Sequence, residues 1–487
     1  MNNEGRFAKI LQLLERIERE CEVNAIRCDG EKVWPLIRMF LWRQLVHGPN
    51  TLNTKPHPRT LIPSAFTIRD PIPCPGMSLP ESCEALFLSR HENHVEKIGG
   101  KWINSYLDPY LELVKRKFTT LKLEIEDPGK EARALRFYDG VHFQQPSVAA
   151  FTETPFSLEN WDEFQEKAEP LLGFPIPESN YLLGIHELRL YKAYFSRLLQ
   201  KIKPKIVFII CWYYERWMSL CWACRDLGIP TVDLQHGKQG KYHGLYSHWG
   251  NLPEDGYALM PKYFWTWGKE SQENFGQWIP ANHAFHQAVV GGNQWLAGWK
   301  KGRYFAEGEI FQNLARKCAL YSRVILVSLQ PIEPVLAKCI EELLLNSASE
   351  WLWLIRLHPA QRKDLFAFSE KFKKFPAKVE IESSTALPLF AVLQLTTHHI
   401  TGFSSVAYEA SQFDIPTAIN HPEGFALYGK EFASGSFTKV STGLELEAWI
   451  GGPGKGCKKL DNSYISTEDS DASQALDWIM KDSIELS

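Results

Sequence analysis

Between residues 351 and 409 the chain alternates in a way that few folds accommodate. An apolar run, Trp351-Leu352-Trp353-Leu354-Ile355, ends on Arg356-Leu357-His358-Pro359. Two helix-sized segments follow, then a second strand and Gly402-Phe403-Ser404-Ser405-Val406-Ala407-Tyr408-Glu409, which opens a helix. Strands that are apolar throughout are buried on both faces, as in a parallel sheet. Both polar clusters fall where such a strand ends, and in an open parallel α/β sheet ligands collect there. Pro359 ends its strand and turns His358 away from helical backbone. Two other His-Pro pairs stand at 57–58 and 421–422, and the strand-end context is taken to favour 358–359. Two serines at a helix start bring hydroxyls and free backbone N–H groups to the positive end of a dipole, which suits a phosphate. Glu409, one helical turn deeper, is placed to accept from ribose hydroxyls. Arg356, His358, Pro359, Ser404, Ser405 and Glu409 are therefore candidate contacts to a nucleotide.

The same alternation runs through most of the chain, whose 487 residues exceed what one hydrophobic core supports. Phe7, Ile10, Leu11, Leu14 and Ile17 share one face of a helix over 6–20, and a second helix is expected over 33–46. Eight prolines between 49 and 80 read as an irregular linker or surface strap. Strands are expected at 85–89, 135–138, 206–211, 231–234, 264–267 and 288–290, with a helical segment around 110–114 and a helix over 215–226. A second series is expected at 324–329, 353–356, 379–381, 400–401, 417–419 and 438–440. Helices near 333–344, 363–372, 386–394, 404–413 and 443–450 interleave with that series, and a last helix covers 470–483. The pattern predicts an α/β protein of two Rossmann-like domains facing a cleft. The divisions are a helical extension over 1–48, a Pro-rich linker over 49–83, a first domain over 84–298, a second over 299–455, and a tail helix over 456–487.

Composition narrows the partners. A net charge of −3 supplies no field for nucleic acid or an anionic membrane, so an anion must meet a local site. The 17 tryptophans are read first as core and interface packing. Of the ten cysteines, Cys221 and Cys224 form a C-x-x-C inside an apolar helix, and no second pair follows at zinc spacing. Free buried thiols and no visible secretory signal lead to the expectation of a cytoplasmic protein. The run Val33-Trp34-Pro35-Leu36-Ile37-Arg38-Met39-Phe40-Leu41-Trp42 is broken by Pro35 and Arg38 and is shorter than the roughly 20 apolar residues of a membrane span. It leaves room only for a peripheral contact with the inner face of the membrane. No His, Asp and Glu cluster has metal spacing, so no metal or other cofactor is expected.

A third polar cluster, Gln235-His236-Gly237-Lys238-Gln239-Gly240-Lys241, follows a strand directly. Its glycines permit close backbone approach, and His236 is placed for proton transfer. It is not a phosphate-binding Walker loop, because no G-x-x-x-x-G-K-[ST] occurs. Three weaker groups in the first half could also supply a base for an acceptor hydroxyl: His91 after the first strand, Asp139 before Gly140, and Asp255 in Glu254-Asp255-Gly256.

These residues resemble a known family. The strand-His-Pro element and Ser404-Ser405 with Glu409 resemble the donor half of bacterial GT-B glycosyltransferases of the capsule and lipopolysaccharide type. That group includes sialyltransferases, Kdo transferases and the polyol-phosphate transferases of wall teichoic acid. Gln235-His236-Gly237 looks like the Gln-His-Gly loop of many surface-polysaccharide transferases. The likeness covers roughly residues 200–440. It implies a nucleotide held by the second domain through Arg356, His358, Pro359, Ser404, Ser405 and Glu409, with Gln235, Gly237 and Lys238 facing it. It implies an acceptor in the first domain and a base among His236, Asp139, Asp255 and His91. In sialyltransferases an acidic-acidic-Gly motif supplies the base, and Glu254-Asp255-Gly256 has its letters. The expected activity is metal-independent transfer of a sugar from a CMP-, CDP- or UDP-linked donor to a hydroxyl of a cell-surface polysaccharide or glycolipid. The alternatives are a sugar-nucleotide epimerase and a non-catalytic subunit of a polysaccharide assembly machine, docked through the helix at 6–20.

Overall fold

A computed structural model of the chain describes residues 5–49, 73, 77–90, 96–126, 135–144, 157–237, 239–240, 242–452, 460–461 and 463–485. Seven strands build the first sheet: β1 (Ala85–Arg90), β2 (Thr120–Glu126), β3 (Val141–Gln144), β4 (Ile206–Ile209), β5 (Thr231–Leu234), β6 (Tyr263–Thr266) and β7 (Gln287–Val290). All neighbours are parallel, in the order β3-β2-β1-β4-β5-β6-β7. Six further strands build the second: β8 (Arg323–Ser328), β9 (Trp351–Arg356), β10 (Lys378–Glu380), β11 (His398–Thr401), β12 (Thr417–Ile419) and β13 (Phe437–Lys439). These are parallel too, in the order β10-β9-β8-β11-β12-β13. Both orders contain the 3-2-1-4-5-6 winding of doubly wound sheets, whose crevice opens where the order reverses. That point lies between β1 and β4 in the first sheet and between β8 and β11 in the second. The two sheets face a shared cleft, the GT-B architecture.

Central strands are apolar because both faces are covered: all four residues of β4 and all six of β9 are buried. Helices Arg6–Glu20 and Trp34–His47 sink into the same core as the interior of β1, through Ile10, Leu14, Trp34 and Ile37. The run from Val33 to Trp42 is thus a buried helix of a folded core. Among the described residues no helix is long and apolar enough to cross a membrane. The last helix, Asp469–Glu485, returns to the first sheet, where Leu476 and Ile479 share a core with Tyr263 and Trp265.

Several expectations shift. The strand expected at 135–138 is absent, since Arg136 makes only an isolated bridge to Trp102, and the sheet positions belong to β2 and β3. Helices Trp161–Leu172 and Ser179–Ile202 were not anticipated. The helix expected over 386–394 divides at Pro388 into Glu382–Ala386 and Leu389–Leu393. Cys221 and Cys224 are buried free thiols. Most of the Pro-rich segment lies outside the described residues.

Candidate active site

The switch point of the second sheet opens into a cavity of about 240 Å³ whose walls come from both halves of the molecule. One wall is the set of loops after β8, β9 and β11, carrying Arg356, His358, Pro359, Arg362, Ser404, Ser405 and Glu409. The other wall comes from the first half: Glu96, Ser105, Tyr106, His236, Trp267 and Trp295.

The second-sheet wall is stitched together beneath the cavity. Gln330, just past β8, accepts from the Phe403 backbone N–H at 2.8 Å, and its carbonyl accepts from Gln361 at 3.3 Å. A Cβ on Gly402 would sit 2.6 Å from the Gln330 side-chain oxygen, so the glycine lets the two loops approach closely. His358 caps the 3₁₀ turn Pro359–Asp364, its Nδ1 accepting from the Ala360 N–H at 3.2 Å. Burial, and after it the Arg362 guanidinium, lower the His358 pKa. The ring is neutral with its proton on Nε2, so it presents a hydrogen-bond donor. Ser405 caps helix Val406–Ser411 with a hydroxyl that makes no capping bond, and the Ser404 carbonyl is pinned by the Tyr428 hydroxyl at 2.7 Å. The helix is six residues long, not the ten anticipated, so hydroxyls and the His358 N–H carry the case for an anion more than the helix dipole does.

Arg356 lines the cavity, but its strongest bonds are structural: Nη1 donates to the carbonyls of Ser384 at 2.5 Å and Leu387 at 2.7 Å. Burial lowers its pKa to about 10, leaving it charged at neutral pH. Its Nη2 lies 3.8 Å from Glu96. Burial, and then Glu96, raise Glu409 to about 8. Glu96 is itself raised by burial, against the pull of Arg356 and Arg362.

His236 reaches the cavity from the loop after β5, with Tyr106 edge-on at 6.2 Å. Its Nε2 meets Cys211 Sγ at 3.1 Å and the Tyr213 hydroxyl at 3.4 Å, and its Nδ1 meets Gln239 at 3.5 Å. Burial lowers its pKa to about 4, so it too is neutral. Cys211, at the first sheet's switch point, holds a left-handed φ of 56°, and burial keeps its thiol protonated. Gln235 does not line the cavity. It ties the loop to the sheet, donating to Gly237 O at 2.8 Å and Ser271 at 3.2 Å and accepting from the Trp267 N–H at 2.6 Å. Gly237 is likewise away from the cavity walls.

Two candidate bases stand elsewhere. Asp139 is exposed on the turn before β3. Asp255 is engaged by Lys32 at 2.5 Å, an ion pair that holds its carboxyl low. Neither lines the cavity. His91 and Lys238 lie outside the described residues. Sequence reasoning missed Glu96, Ser105 and Tyr106. A signal for the first existed: Gly99-Gly100, both at positive φ, joins the hairpin strands Glu96–Ile98 and Lys101–Ile103. A Gly-Gly pair between short strands is a two-residue hairpin turn.

No family model matches the chain, and no curated protein matches it. Solved structures do. Staphylococcus aureus MnaA, solved with UDP, is 10% identical with a TM-score of 0.49, over 83% of this chain and 97% of that one. The UDP-GlcNAc 2-epimerase from Neisseria meningitidis, bound to UDP-GlcNAc, is 15% identical with a TM-score of 0.48, over 82% and 99%. A variant of the wall teichoic acid polymerase TagF is 10% identical with a TM-score of 0.43, over 82% and 89%.

Proposed function

We propose that the chain is a glycosyltransferase that takes a sugar from a nucleotide-linked donor and moves it to a hydroxyl of a surface polysaccharide or glycolipid. The observation that supports this reading is the cavity itself. Ser404, Ser405 and the Nε2–H of His358 converge at the second sheet's switch point, with Glu409 one turn beyond and the first half of the molecule opposite. Neutral donors of this kind suit a diphosphate whose charge grows as the sugar leaves, and they meet that charge without reorganisation. Glu409 accepts from ribose hydroxyls in this reading. Positioning of donor and acceptor between the two walls supplies much of the remaining rate. No metal ion is needed in this scheme.

The test is a thermal-shift panel of CMP, CDP, UDP, GDP and ADP. A nucleotide at 100 times its Kd adds about 2.7 kcal/mol, which raises the melting temperature by degrees. A selective shift that is lost in Ser405→Ala and His358→Ala is the expected result. No shift with any nucleotide, or one that survives both substitutions, removes the donor-site assignment. Turnover separates the alternatives: an epimerase alters the donor sugar with no acceptor present, and an assembly subunit binds nucleotide without turnover.

A further inference from the structure

Glycosyl transfer requires a group that takes the proton of the acceptor hydroxyl, and the cavity wall restricts which group that is. Among the described lining residues five could be considered: His236, His358, Tyr106, Glu409 and Glu96. His236 has Nε2 against Cys211 Sγ at 3.1 Å and the Tyr213 hydroxyl at 3.4 Å, and burial lowers its pKa to about 4, which makes it a weak base. His358 uses Nδ1 as an acceptor for the Ala360 N–H, so its other nitrogen carries a proton and can only donate. Tyr106 is a phenol, and burial raises its pKa further. Glu409 shares a short helix with Ser405, on the side where the leaving phosphate is held.

The geometry points to Glu96 as the general base of the transfer, an assignment that rests on the glycosyltransferase reading. Glu96 opens the hairpin Glu96–Ile98/Lys101–Ile103, which crosses from the first half of the molecule to the second. Ile98 and Ile103 are buried in the second half's core beside Trp295 and Phe390, so the hairpin is anchored at the far side of the cleft. The carboxyl is nine-tenths buried. Among the described residues its Oε1 makes only long contacts, 3.5 Å to the Leu389 N–H and 3.8 Å to Arg356, and its Oε2 is buried with no hydrogen-bond partner. A buried carboxylate oxygen without a partner is costly to keep unless it serves a purpose. In the step, the acceptor's O–H proton passes to the Glu96 carboxylate. The acceptor oxygen forms the bond to the anomeric carbon. The bond from that carbon to the donor phosphate oxygen breaks, and its electron pair leaves on the phosphate at Ser404, Ser405 and His358.

Glu96→Gln keeps the shape and removes the base. Two measurements on the full chain test it: the Kd of CMP, CDP, UDP and GDP by calorimetry, and nucleotide release into water from the corresponding CMP-, CDP-, UDP- and GDP-linked sugars. The expected result is a Kd within about threefold of wild type and a kcat lowered by about 100-fold or more, the range general bases contribute. Glu96→Asp recovers part of kcat, which a merely misfolded hairpin would not. A Glu96→Gln kcat within threefold of wild type overturns the assignment. So does a tenfold loss of nucleotide affinity in that variant, which would make Glu96 a donor-holding residue. Failure of the wild type to bind any nucleotide shows in the same titration and defeats the glycosyltransferase reading instead.

Discussion

Arg38 shows how a charge far from the cavity can hold one of its walls. It is fully buried on helix Trp34–His47 and pairs with buried Glu18 of the preceding helix. The guanidinium also donates to the carbonyls of Gly244 at 2.9 Å, Ser247 at 3.0 Å and His248 at 2.8 Å, and lies 4.4 Å from the centre of the Trp249 ring. Glu18 in turn accepts from Trp34 Nε1 at 2.7 Å and from the Gly250 N–H. Every carbonyl that Arg38 satisfies belongs to the chain just after the Gln-His-Gly loop, so the pair fastens both N-terminal helices to the segment that carries His236. Breaking such a pair by removing one partner costs about 3–5 kcal/mol, because the other charge is left buried alone. Arg38→Met is expected to lower the unfolding free energy by that amount in urea titrations. The double variant with Glu18→Leu should recover part of the loss, the coupling expected of residues in direct contact. A single variant within 0.5 kcal/mol of wild type would mean that the loop is held by other means.

At the scale of elements, the strand-and-loop frame of the second sheet was legible, because its strands are continuous apolar runs ended by polar turns. β2 was not. Its sequence, Thr120-Leu121-Lys122-Leu123-Glu124-Ile125-Glu126, alternates like a strand with one wet face. Yet Lys122 and Glu124 are buried in a charge cluster: Lys122 lies 2.7 Å from Asp108 and 3.0 Å from Glu124, which Arg136 reaches at 3.1 Å. Partners brought from two other segments, Asp108 and Arg136, make that burial tolerable, and no local pattern announces them. The site divides in the same way. His358, Ser404, Ser405 and Glu409 were legible as strand-end and helix-start residues. The direction of a side chain was not, which is why Gln235 and Arg356 turn out to be braces. Glu96 went unread because its hairpin acts across the cleft. That hairpin is testable as an element: Ile103 is fully buried in the second half's core. Ile103→Ala should destabilise the protein by about 2–5 kcal/mol. It should also lower kcat for nucleotide release more than it weakens UDP binding, since it loosens the arm that carries Glu96. Denaturant titration and the same release assay check both halves of that expectation.

For the whole molecule, the cavity exists only if the two sheets keep their relative positions, and the returning chain fixes them. The segment before helix Asp469–Glu485 runs beside the end of β6, where the Glu270 N–H donates to Ser463 O at 2.9 Å and the Ser466 N–H to Trp267 O at 2.7 Å. The Asn293 N–H donates to Ser466 O at 2.9 Å, so the outgoing and returning crossings are bonded to each other. The returning segment also presses on the loop after β6 at Gly268, where a Cβ would lie 2.3 Å from the Ser463 carbonyl oxygen and 2.6 Å from the Tyr464 carbonyl carbon. Backbone cannot yield as a flexible side chain does, so Gly268→Ala must push the returning segment away. The neighbouring Trp267 lines the cavity and also donates its N–H to Gln235, so the displacement reaches both the cleft and the Gln-His-Gly loop. Overpacking of this kind costs about 1–3 kcal/mol. Gly268→Ala is therefore expected to lower the melting temperature and to weaken UDP binding together, although it touches no ligand. Gly276→Ala, where an added Cβ meets nothing within 4 Å, is the control and should change neither. A Gly268→Ala protein that melts lower but binds UDP as tightly as wild type would show that the donor wall is set by the second sheet alone, independently of how the two halves are joined.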